Sequence, residues 1–565
     1  MDVTARARAW IETDPDLAAQ KEIEELVAKN DVQELSSRFS GLLEFGTAGL
    51  RGVVAAGESR MSLAVVALAT AAVCDVLEAK EPGAKEKGIV IGHDARHKSQ
   101  EFAALAARIC ASRGFRATLF GPGVWDNVVP TPLLAFAARA RGFAAAIMVT
   151  ASHNPPKDNG YKVYWSNGAQ IVPPVDAWIK DAMNTRAKVG AKAIVAAAAR
   201  AIPHTAPSED LRAYLAGALA LRKQPALSLR DVRIAYTPMH GVGGRVLAQL
   251  LDRAGATGLA SVKAQFEPDA RFPTVKFPNP EEPGAMDQVL ALAKAIDADL
   301  AIANDPDADR FCVAVREGSG QRVLTGNEVG ALLGHYLLER DSDPKRALVA
   351  ASIVSSPELS AIAEAFGARY LQTLTGFKWI ANAALAAEAK DPALRFVFGF
   401  EEALGYTVGT LVRDKDGITA ALLFVELAAW LKTRRMSVLD YQREIAKKVG
   451  VFASAQKTIA LKGDVNAAIA GLMQPLRASP PKQVAGEAVT RAIDYLPGGE
   501  LPSTDMIALH LASGARMLVR PSGTEPKVKI YCDVKMPFEA DVLAVRQRGV
   551  ARAKELLEAL ALQSY

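Results

Sequence analysis

The chain predicts an α/β fold: three tandem α/β domains with mixed sheets, followed by a smaller α+β domain at the C-terminus. Three observations carry that expectation. The 565 residues exceed what one hydrophobic core organises, and at roughly 150 residues per domain they suggest three or four domains. Short β-rich apolar runs alternate with Ala- and Leu-rich amphipathic stretches, which is the rhythm of βαβ units. From about residue 450 that rhythm gives way to separated strand-like pieces closed by one helix-like segment.

Taken in order, residues 4–40 place apolar side chains such as Ile23, Leu26 and Val27 at helical spacing among charges, so one or two surface helices open the chain. KGIVIGHD, EFAALAARICASRG, FRATLFG, PTPLLAFAARARG and FAAAIMVTASHN then alternate as strand, helix, strand, helix, strand. The Ala-rich stretch around 190–207, ending AIPHTAPSED, reads as a loose connection. The rhythm returns in DVRIAYTPMHGVGGRVLAQLLDRAG and ADLAIANDPDADR, and again from RALVAASIVSS to RFVFGFEEALGY, with Thr325 to Asn327 opening the third unit. KTIALKG, MIALHLASGARMLVRP and KVKIYCDV are the strands of the last unit, and VLAVRQRGVARAKELLEALAL is its helix. The expected domains are 1–207, 208–325, 326–448 and 449–565.

Composition narrows the function classes. Half of the residues are hydrophobic and 23% are charged, as in an ordinary globular protein. A net charge of +5 without a dense Lys/Arg run argues against a nucleic-acid partner. It leaves room for a basic cleft that accepts a small anion. Cys74, Cys110, Cys312 and Cys532 lie far apart, without zinc or redox spacing, and read as reduced buried thiols. The N-terminus lacks a continuous apolar core, and no run of roughly 18 apolar residues occurs, so a soluble cytoplasmic protein without a membrane partner is expected. Oligomeric state leaves no readable trace.

Four loops carry chemistry. In FAAAIMVTASHNPPKDNGYKVYW a strand runs into Thr150, Ala151, Ser152, His153 and Asn154, placing a hydroxyl at a strand's carboxyl end, where open α/β sheets bind ligands. A Ser-His pair alone also suits a capping serine, and the Gly-x-Ser-x-Gly elbow of hydrolases is absent. ADLAIAN empties into Asp305, Asp307 and Asp309, whose alternate carboxylates can converge on a hard divalent cation such as magnesium. An EF-hand would need Gly where Arg310 stands and Glu where Arg316 stands. A solvated acidic turn is the plainer alternative, opposed by the mutual repulsion of three carboxylates. FVFGFEEALGY ends a strand in Glu401 and Glu402, acceptors suited to sugar hydroxyls. In LVRPSGTEPKVKIY a turn between strands crowds Arg520, Ser522, Gly523, Thr524 and Lys527, and its N–H groups, hydroxyls and Arg fork suit a phosphate dianion.

Together, in this order, these loops resemble the α-D-phosphohexomutase superfamily. The resemblance runs from GTAGLRG at 46–52 through TASHNP, DPDADR, GFEEALGY and RPSGTEP, with TGFKW at 375–379 and RDKDG at 413–417 in support. The wording GFEEALGY is most similar to the branch holding phosphoglucomutase 2 and the phosphopentomutases. The resemblance implies a phosphosugar mutase with an active-site cleft between four domains, a phosphoserine at Ser152 and magnesium on Asp305, Asp307, Asp309 and the serine oxygen. It implies Arg51 and Lys162 as cations beside the serine, Lys378 as a lysine near the reacting groups, and His153 as a neighbour of unassigned role. It further implies Glu401, with Glu402, as sugar acceptors, and Arg520, Ser522, Gly523 and Thr524 as a clamp for the distal phosphate. A sugar 1,6-bisphosphate is the implied intermediate and primer.

Hexose-specific members often carry Ser where this chain has Ala403. Glucose phosphate is the first expectation, and pentose or mannose phosphate remain alternatives. A sugar bisphosphate synthase and a catalytically dead phosphosugar-binding protein are the competing classes. The second would need a lost nucleophile or metal ligand, and Ser152 and the three Asp are present.

Overall fold

A computed structural model of the chain describes residues 2–46, 49–120, 128–205, 209–461, 465–522 and 527–560. The chain divides into two compact units, residues 1–324 with 403–430, and residues 325–402 with 431–565.

The first unit opens with three helices, Val3–Thr13, Leu17–Ala28 and Val32–Arg38, where the sequence led us to expect one or two on the surface. They are more than a decoration. Ala7, Ala19, Ile23, Leu35, Phe39 and Ala56 form a small core of their own, and the Arg38 guanidinium ties Glu34 and Glu22 to the Ala56 carbonyl. Asp16 and Asp31 accept from the first-turn N–H groups of the second and third helices and so divide what looked like a continuous pattern.

A six-stranded mixed sheet follows, in the order Leu50–Val53, Asp158–Trp165, Ala145–Val149, Ile89–His93, Ala117–Leu119 and His204–Thr205. Its central strands are parallel and buried on both faces, between the helices Leu63–Lys80, Ser99–Ser112 and Thr131–Ala140. Asp158–Trp165 runs antiparallel to Ala145–Val149, pairing Lys162 with Met148. The stretch expected as a loose connection is instead a helix, Ala191–Ala198, whose Ala191 and Ala198 join the core. Five of its eight residues are Ala, the best helix former, and packing then settles the matter.

The second sheet orders Gly320–Val323, Cys312–Glu317, Leu300–Ala303, Ile234–Thr237 and Leu259–Ser261, the last three parallel. In the other unit Arg369–Thr373, Ala347–Ser352 and Arg395–Glu401 pair in parallel. Thr325 and Glu328 form a reciprocal capping box at the start of Gly326–Glu339. The C-terminal part is an antiparallel sheet from Val451–Ala460 to Gln483–Val484, with Lys527–Met536 and Arg516–Pro521 among its strands, covered by the helices Val465–Ala478 and Val542–Ala559. The four cysteines are buried and free. Among the described residues no helix is long and apolar enough to cross a membrane.

Candidate active site

In the first unit the loops after the parallel strands of two mixed sheets meet. Ser152 follows the strand Ala145–Val149 and has φ of 50°, a left-handed conformation that costs a serine about 1 kcal/mol or more. Its Oγ accepts from Arg51 Nη2 at 3.1 Å and donates to Asp307 Oδ2 at 3.2 Å. Arg51 Nη1 also donates to Asn154 Oδ1 at 3.0 Å.

Asp305, Asp307 and Asp309 follow Leu300–Ala303, are buried, and each offers an oxygen within 4.8 Å of the others. Their remaining oxygens are taken. Asp305 Oδ1 accepts from the Arg310 N–H at 2.9 Å. Asp307 Oδ2 accepts from Thr131 Oγ1 at 2.6 Å and Lys162 Nζ at 2.8 Å. Asp309 Oδ2 lies 2.9 Å from Lys162 Nζ and 3.3 Å from Lys415 Nζ. One oxygen of each, Asp305 Oδ2, Asp307 Oδ1 and Asp309 Oδ1, is buried without a hydrogen-bond partner. Three clustered carboxylates, each with one orphaned oxygen, are what a hard divalent cation binds, so the residues fit magnesium.

The charges are unevenly distributed. Burial, then Asp307 and Asp309, push the Asp305 carboxyl well above the usual range. Burial acts on Asp309 in the same sense, but Lys162, Lys415 and Arg310 outweigh it and hold Asp309 far below. Lys162 is 1% exposed, and although burial disfavours its charge, Asp307 and Asp309 raise its affinity for the proton. His153 is held well below the ordinary imidazole value by burial and by Arg310 and Arg51. Its Nδ1 lies 3.9 Å from Asp305 Oδ2, and its ring meets Phe277 edge-on.

Sequence reasoning missed four contributors. Arg96, in GHDAR after a buried strand, grips the backbone of the serine loop. Thr131 donates to Asp307, and Lys415, quoted only within a motif, joins Asp309 to Asp414. The PMHGVGG loop packs against the acidic loop: Val242 N–H donates to the Pro306 carbonyl at 2.7 Å, and a side chain on Gly241 would strike Pro306. A polar pair directly after a strand, and glycines opposite a buried loop, were the available signals.

The other unit holds a second group. Glu401 Oε1 accepts from Gly376 N–H at 2.6 Å, which brings the TGFKW turn and the start of the helix carrying Lys378 to the end of the glutamate strand. Lys378 Nζ lies 5.8 Å from the Trp379 ring centre. Glu402 accepts from Ser352 and Ser355 hydroxyls at 3.3 Å each. Arg520 lies over the Tyr531 ring at 5.8 Å, its Nη2 donates to the Tyr531 hydroxyl at 3.4 Å, and its Nε is buried without a hydrogen-bond partner. Burial and then Glu402 raise the Tyr531 phenol, so Arg520, Tyr531 and Glu402 share one neighbourhood. Ser522 closes its turn by donating its N–H to the Lys527 carbonyl at 2.8 Å. Gly523 and Thr524, and Thr47 and Ala48 of the first motif, lie outside the described residues.

Comparison with known proteins shows the family of the chain. Residues 42–189, 212–318 and 325–448 match the alpha/beta/alpha domains I, II and III of phosphoglucomutase/phosphomannomutase. A "Probable phosphomannomutase" of Haemophilus influenzae is 42% identical over 479 residues, 82% of this chain and 92% of its own length. The human phosphopentomutase is 35% identical over 577 residues, covering 94% and 90%. The open-form crystal structure of the phosphoglucomutase pp63/parafusin from Paramecium shares the fold with a TM-score of 0.68 at 16% identity, covering 92% of this chain and 95% of that one. With three matched domains and relatives spanning nearly the whole length, the chain belongs to the phosphoglucomutase/phosphomannomutase family of the α-D-phosphohexomutases, enzymes that move a phosphoryl group within a sugar phosphate.

Proposed function

We propose that the protein is a cytoplasmic phosphosugar mutase that carries the phosphoryl group on Ser152, with glucose 1-phosphate and glucose 6-phosphate as its first substrate pair. The observation that carries the reading is Ser152 Oγ held between Arg51 and Asp307, beside three carboxylates with one orphaned oxygen each. Magnesium on Asp305, Asp307, Asp309 and the serine oxygen would neutralise charge on the transferring group.

The chain's own residues supply the rest. Arg51 donates to the serine oxygen and, as a fixed cation, favours the charge that builds on the phosphoryl oxygens. Lys162 donates to both Asp307 and Asp309 and so sets a positive charge between the two carboxylates. His153, half-buried with its imidazole held well below the ordinary value, follows the serine and faces Asp305. Lys378 is assigned to the reacting groups, Glu401 and Glu402 to the sugar hydroxyls, and Arg520, Ser522, Gly523 and Thr524 to the distal phosphate. The phosphoserine gives its phosphoryl group to the unphosphorylated end of the sugar; the resulting 1,6-bisphosphate turns over and returns its other phosphate to Ser152. The domains are assigned as 1–207 for the serine loop, 208–325 for the acidic loop, 326–448 for the sugar loop and 449–565 for the phosphate loop.

A pentose phosphate is the second reading. Ala403 offers no hydroxyl where hexose enzymes often have one, and a relative matched along 94% of the chain is named a phosphopentomutase. Catalytic efficiency on glucose 1-phosphate against ribose 1-phosphate decides, and a much larger value for ribose reverses the order.

The mechanism itself is tested by peptide mapping before and after incubation with glucose 1,6-bisphosphate. One phosphate on Ser152 that sugar monophosphate discharges is expected, and Ser152→Ala loses turnover by at least about a thousandfold. A serine that stays unmodified favours the binding-protein alternative, and net accumulation of bisphosphate favours the synthase.

A further inference from the structure

We propose that Arg96 is the positioning residue that holds the Ser152 loop in its reactive shape, an inference that rests on the mutase reading of Ser152. Its guanidinium is 1% exposed. Nη2 donates to the Ser152 and Asn154 carbonyls at 2.6 Å each, and Nη1 donates to the Pro155 and Asp158 carbonyls at 2.9 and 3.1 Å. Four carbonyls of one loop thus converge on one planar fork, a geometry that an ammonium cannot reproduce.

The fork is itself fixed from two sides. The Phe272 ring lies 5.0 Å beneath it. Asp94 Oδ2 lies 3.4 Å from Nε, and Asp94 Oδ1 accepts from the Arg96 N–H at 3.0 Å and the Ser99 hydroxyl at 2.6 Å. Asp94 Oδ2 also accepts from Thr150 Oγ1 at 2.6 Å, and Thr150 Oγ1 in turn accepts from the Ser152 N–H at 2.9 Å.

The turn after Ile89–His93 therefore commands both ends of Ser152: its N–H through Asp94 and Thr150, its C=O through Arg96. With both peptide planes held, Ser152 keeps its left-handed φ of 50° and its Oγ points to Arg51 and Asp307. None of the Arg96 side-chain hydrogen bonds among the described residues goes to Ser152 Oγ, so Arg96 acts through the backbone.

The test compares Arg96→Lys and Arg96→Ala with the parent chain in single-turnover phosphorylation of Ser152 by glucose 1,6-bisphosphate. KM for glucose 1-phosphate and magnesium affinity by calorimetry are measured alongside. For Arg96→Lys the phosphorylation rate and kcat fall on the order of 100-fold, while KM and magnesium affinity stay within about threefold. Millimolar methylguanidinium restores part of the rate to Arg96→Ala, which a purely structural loss would not permit. Should Arg96→Ala not fold, Arg96→Lys, which keeps charge and stem, decides alone. A rate for Arg96→Lys within about threefold of the parent, or a loss confined to KM, overturns the inference and leaves the mutase reading standing. A parent chain that takes up no phosphate sinks both.

Discussion

Asp307 is the busiest acceptor of the site. Its Oδ2 takes hydrogen bonds from Ser152, Lys162 and Thr131, while its Oδ1 has none. An amide in its place keeps the volume but removes the charge and turns one end into a donor facing donors. Asp307→Asn is therefore expected to weaken magnesium binding on the order of 100-fold, read by calorimetry, and to raise the magnesium needed for activity; unchanged binding would remove Asp307 from the ligand set. Lys162 shows the same logic from the other side. A lysine that is 1% exposed persists only because two carboxylates surround it.

At the scale of elements, the acidic loop is shaped by its neighbours as much as by its own residues. Ala308 has φ of 58°, the Pro306 carbonyl accepts from Val242, and Thr131 N–H donates to the Asp307 carbonyl at 3.0 Å. A Cβ on Gly241 would lie 2.4 Å from both the Cα and the carbonyl oxygen of Pro306, a contact that backbone must yield to. Gly241→Ala is thus expected to displace the loop and weaken magnesium binding about tenfold or more while the chain still folds. Parental magnesium affinity in a folded Gly241→Ala chain would show that the PMHGVGG loop does not shape the site.

For the whole molecule, stability against pH depends on buried titratable groups outside the set assigned to the reaction. Burial raises the Glu358 carboxyl from 4.5 to about 7, with Arg546 opposing and Glu328 adding to the effect. Its folded affinity for the proton exceeds its unfolded one, so it favours the fold below about pH 4.5, and that contribution is lost as pH rises to 7. Above pH 7 the charge is buried at a cost of about 3 kcal/mol. Glu358→Gln removes the cost and replaces no residue assigned to the reaction. The difference in melting temperature between variant and parent is expected to move in the variant's favour from pH 5 to pH 8. A difference that is the same at both values contradicts the assignment.

What the sequence determined by itself was the class of each segment and the identity of the chemical groups. Strand runs such as ADLAIAN and FAAAIMV, buried on both sides, carry a pattern that survives without neighbours, and DPDADR offers three carboxylates whose type and spacing suit a divalent cation. What only the tertiary structure decided were relations between distant residues. Arg96 and Ser152 are 56 positions apart, yet the neighbouring strands Ile89–His93 and Ala145–Val149 bring them together. Lys415 reaches Asp309, and Thr131 reaches Asp307 across 176 positions, from other elements of the same unit. The Ala-rich helix Ala191–Ala198 and the division of the N-terminal segment into three helices were equally hidden. Composition states what a segment can become, whereas packing and hydrogen bonds made elsewhere in the chain decide which option is realised.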